Sequence, residues 1–270
     1  MASEGIVYSC TGESYVAEAL RSARSSLRHN ALPHLLFAST AVEERVEGLS
    51  VARFEPSGNP YVDKIANIRR SPFERTIYLD TDTFVAGEIA HVLRLLDHYD
   101  IAVAFAPAYR GLIDPEVPQA FYEFNTGVLA WRASERVSAF MRSWQETYVA
   151  WLTDEPFVGA GKASRSRRAD QPAFRRCAWQ HGLRLFVLAP EYNFRLGFPT
   201  TVVERVRLIH GEHHDYEALA GQLNSRRLPR TWPPELPLGA KVMRRLRKAP
   251  IVPRPARAKR PEWRAGDTLD

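Results

Sequence analysis

Asp80-Thr81-Asp82 follows directly on Thr76-Ile77-Tyr78-Leu79, a β-branched and aromatic run of the kind that forms a buried strand. A strand sets residues i and i+2 on one face, so two carboxylates at its end repel each other in water-poor surroundings until a cation lies between them. The spacing predicts a divalent-metal site at the carboxyl end of a strand. A bare pair of aspartates two apart also occurs in solvated loops, and it is the position right after an apolar strand that favours a site. His210 stands after a second apolar run at 206–209, with His213 and His214 close behind it. Lys64, Asn125, Asp170 and Gln171 are the further polar residues of interest. Each has an ordinary reading beside the functional one. Lys64 reads as a solvated helix charge, Asn125 as a strand-edge hydrogen bonder, His210 as a satisfied core histidine, and Asp170 as a helix N-cap accepting backbone N–H groups.

These side chains need a scaffold, and the hydrophobic pattern supplies one. The apolar run 6–10 ends in Thr11-Gly12, after which Val16, Leu20, Ala23 and Leu27 recur at helical spacing: strand, turn, helix. Further strands are expected at 35–38, 49–54, 76–79, 101–106, 127–131, 185–188 and 206–209. Helices are expected through Ile65 and Ile68, over 89–96, over 137–148, and from Asp170 onward. Alternating strands and helices imply an α/β fold whose mostly parallel central sheet has helices on both faces. In such sheets ligands bind outside the carboxyl ends of the strands.

With 45% hydrophobic and 25% charged residues, the 270-residue chain is ordinary globular protein, which excludes collagen-like, mucin-like or wholly disordered classes. Eighteen consecutive apolar residues occur nowhere, and the start carries no basic and apolar leader pattern, so a cytoplasmic protein is expected. Cys10 and Cys177 are too few and too far apart for a disulfide framework or a zinc ribbon, and two buried free thiols are expected. The net charge of +6 is unevenly placed. Residues 241–270 hold ten Lys and Arg against three Asp and Glu, a net +7 that leaves the rest of the chain near neutral, so no nucleic-acid-binding fold is expected. The expected organisation is one domain over 1–240 and a basic, Pro- and Arg-rich tail over 241–270. In that tail Val242, Met243, Leu246 and Ile251 are interleaved with Lys241, Arg244, Arg245, Arg247 and Lys248, which reads either as a short helix lying on an anionic membrane surface or as a solvated tail.

Two enzyme classes place paired aspartates directly after an apolar strand. Haloacid-dehalogenase-like phosphatases have them on the first strand with Thr or Val at the fifth position, where this chain has Phe84 after several strands. Nucleotide-sugar glycosyltransferases have them after several strands of a nucleotide-binding fold. Over about residues 5–215 an ordered set of motifs resembles glycosyltransferase family 8, in particular its glycogenin-like and bacterial galactosyltransferase-like members with a GT-A fold. Val7-Tyr8-Ser9-Cys10-Thr11 with Tyr15 is similar to the family's first strand and nucleotide-binding turn. Lys64, sixteen residues before Asp80, matches the spacing of its donor-binding lysine. Phe124-Asn125-Thr126-Gly127-Val128, Asp170-Gln171, Glu191-Tyr192-Asn193 and His210-Gly211 are similar to its remaining motifs, in the family's order. Two departures stand out. Gly12 replaces a common Asn or Asp, which leaves base contacts there to the backbone, and Glu212-His213-His214-Asp215 stands in place of a loop ending in Lys-Pro-Trp. Thr231-Trp232-Pro233 is the nearest remote substitute for that loop.

What the resemblance implies is transfer of a sugar from a nucleotide-diphosphate donor, a UDP-sugar first of all, with retention of the anomeric configuration. Asp80, Asp82 and His210 would hold Mn²⁺, with Mg²⁺ as the substitute, since carboxylates, a diphosphate and one imidazole suit that ion. Tyr8, Ser9, Thr11 and Tyr15 would meet the nucleoside, Lys64 with Asp80, Thr81 and Asp82 the donor phosphates or sugar, and Asn125, Asp170 and Gln171 the reacting end. The acceptor is a glycan, a lipid-linked sugar or a protein, with its specificity expected in 108–122 and in 153–169. The latter segment, with Gly159, Gly161, Lys162, Arg165, Arg167 and Arg168, is expected to close over the donor. Two other readings stay open: a metal-dependent phosphohydrolase built on Asp80 and Asp82, and a nucleotide-sugar-binding protein without turnover.

Overall fold

β1 (Glu4–Cys10) is buried at every position after Glu4, on both sides, as a central strand must be. Gly12 then takes a φ of 97°, a conformation that L side chains avoid, and turns the chain towards α1 (Val16–Leu27). The computed structural model describes residues 3–106, 114–153, 169–225 and 230–232, all of which fall in one unit, Met1–Glu235. The basic tail at 241–270, all but the end residues of 153–169, and the part of 108–122 up to residue 113 lie outside the described residues.

From α1 the chain continues through β2 (His34–Ala38), β3 (Leu49–Arg53), α2 (Pro60–Arg69) and β4 (Arg75–Leu79). α2 starts where the Asn59 side chain accepts from the Tyr61 and Val62 backbone N–H groups and Pro60 fixes the first turn. Then come β5 (Thr83–Val85), β6 (Ile101–Phe105), β7 (Phe124–Arg132), α3 (Glu135–Thr153), α4 (Gln171–Gln180) and β8 (Leu185–Leu188). β9 (Phe194–Arg195), β10 (Thr200–Val202), β11 (Leu208–His210), α5 (Tyr216–Ser225) and β12 (Arg230–Trp232) complete the described elements.

The main sheet has seven strands among the described residues, in the order β3-β2-β1-β4-β7-β6-β8. All neighbours are parallel except β7, which runs antiparallel to both β4 and β6. A strand that follows its antiparallel neighbour needs no crossover helix. The sheet is covered on both faces, as expected. α1 and a 3-10 helix at Ala90–Asp97 bury Ile6, Tyr8, Leu36 and Ile77 on one side. α2, α3 and α4 bury Val7, Phe37, Tyr78 and Leu129 on the other. A smaller sheet, β5-β11-β9, packs with α5 around Phe84, Phe194, Ile209 and Leu219.

Several expectations need adjustment. The segment at 89–96 is a 3-10 rather than an α-helix, β7 begins three residues before 127, and the strand expected at 206–209 begins at Leu208. β5, β9, β10 and β12 are two or three residues long, too short for an apolar alternation to register. Cys10 and Cys177 are buried free thiols, and burial raises the Cys10 thiol to about 11. Among the described residues no helix is long and apolar enough to cross a membrane.

Candidate functional site

The aspartate triplet is not an extended strand. Asp80 is the first residue beyond β4, and Thr81 and Asp82 form the turn into β5. The Thr83 hydroxyl closes this turn by donating to the Asp80 carbonyl at 2.7 Å, and the Asp80 N–H donates to the Gly127 carbonyl at 2.8 Å. The two carboxylates therefore converge through a turn, and strand pleating is not the cause. β11 then pairs antiparallel with β5 so that His210 stands opposite Thr83, while the Gly211 N–H donates to the Asp82 carbonyl at 2.9 Å. As a result one ligand atom each from Asp80, Asp82 and His210 lies within 4.8 Å of the other two. His210 Nε2 is 3.1 Å from Asp82 Oδ1 and 3.9 Å from Asp80 Oδ2.

The imidazole is oriented from behind. Asn193 donates through Nδ2 to Asn125 Oδ1 at 3.3 Å, which turns its own Oδ1 toward His210 Nδ1 at 2.7 Å. This contact puts a ring proton on Nδ1 and points Nε2 at the two carboxylates. Two carboxylates and a ring nitrogen this close together could hold a metal ion. Arg195 lies against the ring, with Nη1 2.9 Å from His210 Nε2 and 3.3 Å from Nδ1. Burial raises the Asp82 carboxyl, but the His210 imidazole and the Arg195 guanidinium outweigh it and bring Asp82 down to about 2.

Gly127 forms the floor. A Cβ there would collide with Asp80 Oδ2 and with His210 Cε1, so a glycine is what leaves the three ligands room to converge. Two carboxylate oxygens, an imidazole oriented by an amide, and an open side where Asp80 and Asp82 are partly exposed form a donor set that could hold a metal ion.

A second cluster meets the first at Asp80. Lys64, buried in α2, has its Nζ 3.2 Å from Asp80 Oδ1 and 3.3 Å from Asp170 Oδ2, and donates to Thr126 Oγ1 at 3.2 Å. Tyr78 donates its hydroxyl to Asp80 Oδ1 at 2.8 Å, and the Thr126 hydroxyl lies 3.0 Å from both Asp170 oxygens. Desolvation works against the Lys64 charge, but Asp170 and Asp80 outweigh it and the ammonium holds its proton above the usual lysine range. Burial, aided by the charge of Asp80, pushes the Asp170 carboxyl upward against the pull of Lys64. Asp170 is 1% exposed and caps no helix, since its side chain accepts nothing from the N-terminus of α4. Its carboxylate is turned to Thr126 and Lys64, and its carbonyl accepts from Trp144 Nε1 at 3.0 Å.

The residues expected at the nucleoside are spread unevenly. Tyr8 is completely buried on the α1 side of the sheet, its ring stacked 6.3 Å from that of His34, so it has no surface for a ligand, and burial raises its hydroxyl far above the usual range. Ser9 is buried on the opposite side and accepts from Asn67 Nδ2 at 3.0 Å. Thr11 donates to Asp63 Oδ2 at 2.9 Å, which ties the turn after β1 to α2 one residue before Lys64. Tyr15 is exposed, and Thr81 donates to Glu18 Oε2 at 3.3 Å. β1 and β4 are parallel with Val7 beside Tyr78, so Thr11, Tyr15 and the aspartate turn share one end of the sheet.

Asn125 and Gln171 lie on the other flank. Asn125 sits where β7 breaks register with β6, after Val103, and its side-chain oxygen is taken by Asn193. Gln171, with its NH₂ turned toward β7, reaches the Phe124 carbonyl and Glu123 Oε1 at 3.2 Å each. His213 and His214 are outside the cluster. Their rings stand 4.3 Å apart, and His213 Nδ1 accepts from the Asp215 N–H. Thr231 and Trp232 belong to β12, and Trp232 packs edge-on against Phe194 at 6.1 Å, which makes it a support of β9.

Sequence reasoning missed Tyr78, Asp63 and Arg195, and gave Thr126, Gly127 and Asn193 no role of their own. Tyr78 reads as one more aromatic in a strand, and only the D-x-D two residues later marks its hydroxyl as useful. No protein-family model matches this chain, and no curated protein matches it.

Proposed function

We propose that the chain is a metal-dependent glycosyltransferase of the GT-A type that moves a sugar from a nucleotide-diphosphate donor, first of all a UDP-sugar, to a glycan, lipid-linked or protein acceptor. The observation that carries this reading is the convergence of Asp80, Asp82 and His210 over Gly127, with Lys64 against the other oxygen of Asp80. A mostly parallel sheet with the cluster at the carboxyl end of β4 is the architecture such a donor site needs.

Asp80, Asp82 and His210 would hold Mn²⁺ or Mg²⁺, and the bound ion supplies stabilisation of the negative charge that grows on the departing diphosphate. Asn193 keeps the His210 ring in the tautomer that leaves Nε2 for the ion, and Asn125 keeps Asn193 in place. Lys64 puts a fixed positive charge beside Asp80, in a site where buried charges need no reorganisation as the reaction proceeds. Asp170 and Thr126 orient that ammonium, so in this reading Asp170 and Asn125 are positioning residues. Thr11 and Tyr15 stand at the same end of the sheet and border the nucleoside. The resemblance to family 8 adds retention of the anomeric configuration.

Incubating the protein with a panel of nucleotide sugars and Mn²⁺, read by mass spectrometry, tests the reading. Release of UDP with free sugar, or glycosylation of an added acceptor, supports it. Inorganic phosphate released from phosphomonoesters points to a phosphohydrolase, and binding without turnover to a nucleotide-sugar-binding protein.

A further inference from the structure

α1 turns three serines inward, where a helix ordinarily buries apolar side chains. Ser22, Ser25 and Ser26 are each at most 1% exposed. Serine is a poor helix former, and a buried hydroxyl is costly unless it is bonded. Ala19, Leu20 and Ala23 of the same helix already pack against the sheet, so the serines are not needed to fill the core. All three are bonded, and two of them reach the segment that carries the aspartates. Ser22 Oγ lies 2.7 Å from Thr83 Oγ1. Thr83 gives its own proton to the Asp80 carbonyl, so Ser22 is the donor of this pair. Ser25 accepts from the Val85 N–H at 2.9 Å and donates to the Ser22 carbonyl at 2.7 Å, while Ser26 lies 2.8 Å from His34 Nε2 on β2. One turn before Ser22, Glu18 accepts from the Thr81 hydroxyl. β5 is an edge of the small sheet, paired with β11 on one side. The aspartate turn is therefore held twice, by the Gly211 N–H on the Asp82 carbonyl and by α1 through the chain Ser22, Thr83 and the Asp80 carbonyl.

We propose that Ser22 and Thr83 are positioning residues of the metal cluster: the Ser22 hydroxyl fixes the Thr83 hydroxyl, which fixes the Asp80 carbonyl and with it the aim of the Asp80 and Asp82 carboxylates at His210. This rests on the metal reading above. Ser25 supplies an internal comparison, because it is equally buried on the same helix but bonds to the β5 backbone beyond the turn. If the serines served only to hold α1 in place, Ser22 and Ser25 would answer alike.

The test uses the full chain stripped of metal. Mn²⁺ binding is read by electron paramagnetic resonance of the free ion, and thermal melts in EDTA report the fold of each variant. Thr83→Val nearly keeps the volume and removes the hydroxyl, and Mn²⁺ affinity should weaken by about 10- to 100-fold, as for other partners that orient metal ligands. Thr83→Ser keeps the hydroxyl and should restore most of that affinity. Ser22→Ala should weaken Mn²⁺ binding by about two- to tenfold, as expected for one neutral hydrogen bond. Ser25→Ala should lower the melting temperature and leave Mn²⁺ affinity at the wild-type value. Mn²⁺ binding in Ser22→Ala that is no weaker than in Ser25→Ala overturns the proposal, and this comparison stands even if Thr83→Val does not fold. Thr83→Ser binding no better than a folded Thr83→Val overturns it as well. Asp82→Asn separates the two levels. If it binds Mn²⁺ as well as the wild type, the metal reading fails and the role of Ser22 and Thr83 with it. If it loses Mn²⁺ while Ser22→Ala and Thr83→Val keep wild-type affinity, only the positioning role is overturned.

Discussion

Asp80 divides its two oxygens between two clusters that differ in kind. Oδ1 takes the Tyr78 hydroxyl and the Lys64 ammonium, and through Lys64 it belongs to a buried group with Thr126 and Asp170 in which every charge has a partner within hydrogen-bonding reach. Oδ2 faces His210 and Asp82, a group that is open on one side and gathers two carboxylates and an imidazole. The first cluster is complete as it stands and fixes positions. The second is short of positive charge and is built to receive it. A buried ion pair that is fully satisfied does little for stability by itself, yet removing one partner is costly. An incomplete group at the carboxyl end of a sheet is where a ligand supplies what the chain does not.

Changes to the open cluster should reach function with little effect on folding. Asp82→Asn removes an anionic ligand at nearly constant volume, and metal-dependent turnover should fall on the order of a thousandfold, the equivalent of several kcal/mol of metal-ion catalysis. Thermal melts in EDTA should show a fold as stable as the wild type or nearly so. Turnover near the wild-type rate at saturating Mn²⁺ would show that Asp82 is not a ligand.

The closed cluster should answer in the reverse way. Lys64→Met leaves Asp170 buried without its ammonium, and urea unfolding should show a loss of about 3–5 kcal/mol. A loss under about 1 kcal/mol would mean that Asp170 is held by Thr126 alone and that the cluster is not the unit described here.

Asn193→Ala acts from behind the imidazole. It removes the acceptor that fixes the His210 tautomer, and Mn²⁺ affinity should weaken by about 10- to 100-fold, as for other outer-shell partners of metal ligands. Titration of Mn²⁺ at fixed UDP reads this directly, and uridine binding should not change.

The smallest effect is also the sharpest contrast. In metal-free protein Asp82 is held at about 2, below its ordinary 3.8, so its contribution to stability is present above that ordinary value and is lost as pH falls from about 4 through about 2. Asp170 is raised above the same ordinary value, so the folded state takes up its proton first, and stability from this group grows as pH falls toward 4. Melting curves between pH 7 and pH 2 should therefore separate two variants. Asp82→Asn should flatten the loss at the acid end, and Asp170→Asn should remove a gain at higher pH. The same pH profile in both variants would show that the two carboxyls do not differ in this way.

The unequal visibility of the two clusters in the sequence has physical causes. Asp80 and Asp82 were legible because they follow an apolar strand, although the reason given for their convergence, the strand pleat, is replaced by a turn that Thr83 closes. His210 was legible as a ligand only through the resemblance to family 8, since its place after an apolar run reads as that of a core histidine. Arg195 was not, because β9 is two residues long and the arginine meets His210 only through β9–β11 pairing, which leaves no periodic trace. Tyr8 was misplaced because β1 is buried on both faces, and in such a strand alternation does not tell which side meets a ligand. Asp170 looked like a helix cap by position, but a buried lysine on another helix was the stronger partner. The alternation of strands and helices was plain up to β8. It faded beyond, where β9, β10 and β12 are pieces of two or three residues held by pairing with distant segments.

Calorimetric titration of UDP into metal-stripped protein, with Mn²⁺ and then with EDTA, tests the central claim most directly. The geometry of Asp80, Asp82 and His210 predicts UDP binding in Mn²⁺ that disappears in EDTA and in Asp82→Asn. UDP binding of equal strength in Mn²⁺ and EDTA, or in neither, would contradict it.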